Sequence, residues 1–198
     1  MDFIYVANGA EVARVHKPEA ASLIARLGRA TADRLRGFLQ NLNNPHILGL
    51  DAREALFMDD GLVLVEGQED VVLYSRLLAA THPRLAQRFF GWGVGGADNV
   101  PMIAALLRDL GFKRVAAILD ANRQHRIADL QAEFPDFHFA AIAADDVRTK
   151  AEQPARNSVR GLLDEHGDLR PEFRDHTTRL FQEVAAYIMP LPLPPVVA

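Results

Sequence analysis

Cysteine is absent from the 198 residues, which at once excludes disulfide bonds, thiolate zinc sites and cysteine nucleophiles. No apolar run approaches the roughly 18 residues a membrane helix needs. The N-terminus, Met1-Asp2-Phe3-Ile4, has neither the basic stretch nor the apolar stretch of a secretory signal. These absences lead to an expectation of a cytoplasmic protein with no membrane partner. The seven histidines include no His-x3-His pair, so zinc hydrolase chemistry of that kind has no support. Ser22, Ser75 and Ser158 lack the Gly-x-Ser-x-Gly setting of a serine hydrolase. A Gly-x4-Gly-Lys-Ser/Thr phosphate loop is also missing, which excludes ATP binding of that type. A net charge of -4 is not the footprint of a protein coated in basic residues for nucleic acid.

What is present suits a folded α/β protein. Hydrophobic content of 49% and a mean hydropathy of -0.03 are ordinary for a chain that buries a core. Residues 1–60 read as a connecting and helical segment. Within it, Phe3-Ile4-Tyr5-Val6 and Val12-Ala13-Arg14-Val15 flank Asn8-Gly9, a β-hairpin signal. Apolar residues at helical spacing then predict a helix from Pro18 to Leu42, ended by Asn43-Asn44-Pro45.

From Gly61 the rhythm becomes strand, helix, strand, helix. Leu62-Val63-Leu64-Val65 reads as a strand buried on both faces, followed by a helix from Val71 to Leu78. Phe89 to Val94 reads as an aromatic strand, with Asn99 as cap of a helix from Val100 to Leu110 that Gly111 ends. Val115 to Leu119 is the third strand, Arg123 to Phe134 its helix, and Phe137 to Ile142 the fourth strand. This alternation predicts a parallel sheet flanked by helices over 61–150. An additional helical part, with a helix from Pro171 to Met189, occupies 151–189, and 190–198 is a proline-rich tail.

In open α/β sheets, ligands gather at the carboxyl ends of the strands. Those ends carry Glu66-Gly67, the glycine turn Gly93-Val94-Gly95-Gly96, Asp120-Ala121-Asn122 and Asp145-Asp146, with Asp70 one helical turn beyond the first. Any one acid there is better explained as a helix cap, and the glycines read equally as a tight strand–helix turn. The coincidence of acids at several strand ends points to an oxygen-rich site for hard ions, Mg²⁺ or Mn²⁺. Arg148, Lys150, Arg156 and Arg160 form a local basic stretch opposed by Glu152 alone. That stretch is either a phosphate-tracking surface or an exposed charged one.

Leu64-Val65-Glu66-Gly67-Gln68-Glu69-Asp70, then Gly93-x-Gly95-Gly96, then Ile118-Leu119-Asp120-Ala121-Asn122 resembles the signature of the TOPRIM module. Topoisomerases, bacterial primases, recombination proteins and the OLD (overcoming lysogenization defect) nucleases share that module. Leu56-Phe57 leading into Val65-Glu66-Gly67, and Asp146-Val147-Arg148-Thr149-Lys150 followed by Val159 to Asp164 and Gly167, are similar to OLD-family endonucleases. The likeness spans roughly residues 50–185. It implies a TOPRIM-type sheet and a metal-dependent endonuclease that nicks or cleaves DNA with two Mg²⁺ or Mn²⁺ ions. In that reading Glu66 and Asp70 hold one ion and Asp120 the other, with Asp146 and Asn122 as further ligands. Asn122 stands where many members carry an acid. Lys150 stabilises the phosphate, Gly93, Gly95 and Gly96 approach it, and Arg148, Arg156 and Arg160 follow the DNA backbone. The resemblance further implies an upstream ABC-type ATPase in a longer parent protein and a role in phage defence, and leaves homo-oligomerisation open. The competing reading, suggested by Asn122, is a non-catalytic TOPRIM scaffold that binds DNA or a partner.

Overall fold

The computed structural model describes residues 3–6, 12–16, 23–40, 61–91, 93–152, 154 and 157–189, and for 3–6, 12–16 and 35–40 the backbone alone. The Asn8-Gly9 turn, the helix end at Asn43, the approach at Leu56-Phe57, Trp92, Arg156 and the proline-rich tail lie outside the described residues.

Three strands, β4 (Gly61–Val65), β5 (Arg114–Leu119) and β6 (His138–Ala141), form a parallel sheet in the order β4-β5-β6. Val65 pairs with Ile118, and Leu119 with Ala141, so the three carboxyl ends open on one edge. The strands are apolar throughout because both faces are covered. Alternate residues point to opposite sides. Leu62, Leu64, Val115, Ala117 and Leu119 pack under helices α4 (Val100–Asp109) and α5 (Ile127–Glu133). Val63, Val65, Ala116 and Ile118 pack under α2 (Gln68–Leu78) and α6 (Arg174–Ile188), together with Leu85 of the short α3 (Pro83–Ala86). The expected α/β class, a parallel sheet flanked by helices, is observed, and the C-terminal helix lies against this same sheet.

Two expectations are corrected. Phe89 to Val94 is not a continuous strand. It borders β4 through separate bonds, with Phe90 N–H donating to Val63 O at 2.9 Å and Val94 N–H to Val65 O at 2.9 Å. Gly91 (φ 54°) and Gly93 (φ 84°) lie in the left-handed region and interrupt the ladder between those bonds. Of the helix expected from Pro18 to Leu42, the described residues are helical over Arg29–Gln40, as α1, while Leu23–Arg26 is strand β3. It completes an antiparallel meander with β1 (Phe3–Val6) and β2 (Val12–His16), Ala13 pairing with Arg26. Helical spacing is a weak local preference, and the open backbone edge of β2 outweighs it. Leu27 packs against the α4–α5 core, and Gly28 N–H donates to Asp109 Oδ2 at 2.9 Å, docking the meander onto α4.

Smaller adjustments follow local chemistry. Ala121–Arg126 is a 3-10 turn that becomes α5 at Ile127. Asn99 does not cap α4; its Nδ2 donates to Val94 O (3.0 Å) and Gly95 O (3.1 Å), closing the glycine turn. After β6 the described residues have no helix or named strand until a 3-10 turn at Pro171–Phe173 and then α6. Among the described residues no helix is long and apolar enough to cross a membrane.

Candidate active site at the carboxyl ends of the strands

β4 ends at Val65, and Glu66 and Gly67 turn the chain into α2. Gly67, in extended conformation, is the N-cap residue and has no side chain to cap with. Asp70 does the work in reverse, its Oδ2 accepting the Gly67 N–H at 2.8 Å. This fixes a buried carboxylate one turn into the helix. β5 delivers Asp120 alongside. Glu66 Oε1 accepts the Asp120 N–H at 3.2 Å, stapling the end of β4 to the end of β5. Although Asp120 precedes the 3-10 turn, it makes no side-chain capping bond, so capping does not account for its carboxylate. Beyond β6, Asp146 Oδ1 accepts the Arg148 N–H at 3.0 Å, and Asp146 Oδ2 accepts from the Lys150 ammonium.

The electrostatics show that these groups form one cluster. Burial, then the charges of Glu66, Asp70 and Asp146, push the Asp120 carboxyl up to about 8, with Lys150 opposing. Asp70 rises to about 6, from burial first. The Gly67 N–H pulls against that rise, and Glu66, Asp146 and Glu69 reinforce it. Tyr74, one turn along α2 from Asp70, lies fully buried beneath the acids, against Phe89 (6.2 Å between ring centres) and edge-on to Phe181 (5.6 Å). Burial and then the charges of Asp70, Asp120, Glu66 and Asp146 hold its hydroxyl well above the usual tyrosine range. The floor of the cluster is therefore apolar and aromatic, which strengthens every charge interaction above it.

The glycine turn packs against the first strand end. A Cβ on Gly93 would stand 2.7 Å from the Gly67 Cα and carbonyl carbon, at φ +84°. Gly96 N–H donates to Glu66 O at 2.7 Å. These glycines thus hold the Glu66–Gly67 peptide in place, the tight-turn role their spacing allowed.

The sequence-predicted site residues divide into groups. Glu66, Asp70, Asp120, Asp146 and Lys150 come together, with Gly93, Gly95 and Gly96 beside them. Arg148 sits at the rim, 3.0 Å from Glu69. Asn122 is exposed and spends its amide nitrogen on Asp145 O at 3.0 Å. Arg160 is paired with Glu172 at the surface, and Arg156 lies outside the described residues. Among the described residues no three His, Asp or Glu side chains form a ready-made cage for a cation. Glu66 and Asp70 each commit one oxygen to an N–H, and Asp146 commits both of its oxygens.

Sequence reasoning missed several participants. Tyr74 was hidden in an apolar helical pattern, although its place four residues after Asp70 on one helix face was a usable signal. Arg126, which bonds Asp98 at 2.6 Å and ties its own 3-10 turn to the one at Ala97–Asn99, left no local trace. Neither did the contacts of Thr149 and Arg170 described below. Compared with known proteins, the chain matches no family model, no curated protein and no solved structure.

Proposed function

We propose that this chain is a metal-dependent phosphodiester hydrolase acting on DNA, of the TOPRIM kind found in OLD-family endonucleases. One observation carries the reading. Carboxylates from three strand ends share a half-buried edge, where burial first and then the charges of Glu66, Asp70 and Asp146 drive Asp120 up to about 8, with Lys150 as the opposing charge. Such a cluster lacks positive charge, and its donors are all oxygen, the set that hard divalent ions prefer. The site fits Mg²⁺ or Mn²⁺ by this chemistry.

Glu66, Asp70, Asp120 and Asp146 are the residues that would hold the ions, Glu66 and Asp70 toward one and Asp120 toward the other. A bound pair supplies charge neutralisation of the scissile phosphate and an acidic water as nucleophile. The protein's own part is to place and charge the surroundings. Asp120 gives up the proton that burial makes it keep. Lys150, released from Asp146, donates to the non-bridging oxygens as negative charge builds there. Arg148, released from Glu69, pairs with a flanking phosphate. Tyr74, Phe89 and Phe181 exclude water from below. The upstream ATPase and the phage-defence role belong to this same proposal and rest on the sequence resemblance, and the cytoplasmic location rests on the absences read from the sequence.

The test is incubation of supercoiled plasmid with the purified protein in Mg²⁺, Mn²⁺ and EDTA, beside Glu66→Ala, Asp120→Ala and Lys150→Ala. Nicked or linear product that needs metal and disappears in the variants is the expected result. Plasmid binding without cleavage in any metal would move the reading to the non-catalytic scaffold, which the exposed, backbone-bonded Asn122 favours. Relaxation without breaks would make it a topoisomerase.

A further inference from the structure

Lys150 stands on a segment with no regular structure of its own, yet the segment is held from one side along its whole length. Leu162 N–H donates to Asp146 O (2.9 Å), Leu163 N–H to Val147 O (3.0 Å), and Lys150 and Val159 exchange both backbone bonds at 2.9 Å. Between them Gly161 presses so close that a Cβ there would lie 2.1 Å from the Arg148 carbonyl carbon. Thr149 is the centre of this clamp. Its Oγ1 donates to Leu163 O at 2.6 Å and accepts from Gly161 N–H and from Arg170 Nη2, each at 3.1 Å. One hydroxyl thereby uses its donor and both acceptor positions. Arg170, largely buried, is anchored in turn by Glu165 at 3.4 Å and by its own N–H on Leu162 O at 3.2 Å.

The side chain next in sequence to this hub is Lys150, and the ammonium of Lys150 meets Asp146, whose own backbone carbonyl is held by the clamp. We infer that Thr149 and Arg170 are positioning residues that hold Lys150 and Asp146 together at the mouth of the acidic cluster. The inference rests on the proposed function only for its kinetic consequence. The structural part, that the Thr149 hydroxyl network sets the place of the Lys150 ammonium, stands apart from any activity. Neither residue touches the carboxylates of the cluster, so their effect on chemistry runs through Lys150. An isosteric change at Thr149 keeps the volume and removes the hub. A charge-neutral change at Arg170 removes one of its three bonds.

The chain has three lysines, Lys17, Lys113 and Lys150, so ¹³C-lysine labelling of the full protein gives a readable spectrum. In the metal-free wild type the Lys150 ε-methylene resonance should be displaced from the free-lysine position. It should fall back to that position in Thr149→Val and move part of the way in Arg170→Met, while Thr149→Ser keeps it. Circular dichroism and Tm monitor folding, and if Thr149→Val does not fold, Arg170→Met decides by the same readout. In the plasmid assay kcat should fall about ten- to a hundred-fold with KM unchanged, the scale for removing the support of a reacting group, and Thr149→Ser should restore it. Folded Thr149→Val and Arg170→Met proteins with wild-type Lys150 resonance would overturn the inference, as would a loss confined to KM. A wild type that cuts no DNA would defeat the proposed function, and the resonance would still decide the positioning claim.

Discussion

The two edges of the parallel sheet are made by the same three strands and are built to opposite ends. At the amino edge Gly61 leaves room for Ile188, whose Cγ2 would stand 2.7 Å from any Cβ there. The Tyr187 hydroxyl crosses to Asp136 O at 2.5 Å, and its ring lies 5.5 Å from that of His138. Nearby, a groove of about 460 Å³ carries both Arg108 and Lys113 against the lone acid Asp136, with the Arg108 guanidinium over the Phe134 ring. At the carboxyl edge burial, and then like charges crowded together, raise Asp70 to about 6 and Asp120 to about 8. One edge is spent on stability. The other carries a cost that the proposed binding of cations would account for.

The contrast is sharpest under mutation. Asp120→Asn should abolish plasmid cleavage, by about 100- to 1000-fold or more, and yet raise the Tm of the metal-free protein at pH 8, because the amide carries no charge to repel its neighbours. A thermal melt beside the plasmid assay reads both, and a lowered Tm would count against the repulsion. Gly93→Ala comes next. Its Cβ meets the Gly67 backbone at +84° φ, so a loss of about 2–3 kcal/mol in urea unfolding is expected, together with loss of cleavage as Glu66 is displaced.

Acidity provides a gentler lever. Asp70 and Asp120 titrate at about 6 and about 8 in the folded protein, against 3.8 for an unperturbed carboxyl. The folded state therefore binds more protons than the unfolded one between about pH 4 and 8. Stability of the metal-free protein should then fall as pH rises across that window. Tm measured at pH 5 and pH 8 should differ by a few degrees in that sense, and saturating Mg²⁺ should erase the difference; a flat profile would contradict it. The smallest effect belongs to the amino edge. Tyr187→Phe removes the bond to Asp136 O and should cost about 1 kcal/mol, with cleavage unchanged.

The sheet was legible in sequence because 62–65 and 115–119 are apolar without alternation, a pattern that burial on both faces demands. The acidic edge was legible for a topological reason. Parallel strands bring their carboxyl ends together, so Glu66 and Asp120, 54 residues apart, had to be neighbours. What escaped depended on partners far along the chain. Leu23–Arg26 became a strand because β2 offered it an edge, and Phe89 to Val94 lost continuity to two glycines whose positive φ no apolar pattern reveals. Asn99 sits where a cap belongs and serves the glycine turn instead. The Thr149 hub draws on Gly161, Leu163 and Arg170, 12 to 21 residues away, through contacts that carry no sequence periodicity.

The central claim is that the carboxyl edge is a divalent-cation site in which Asp120 surrenders a proton as the ion arrives. Calorimetric titration of Mn²⁺ at pH 7, in two buffers of different ionisation enthalpy, measures binding and proton release together. Saturable binding with release of about one proton, both lost in Asp120→Asn, is the predicted result. No saturable binding, or binding whose heat is the same in both buffers and persists in Asp120→Asn, would contradict the account.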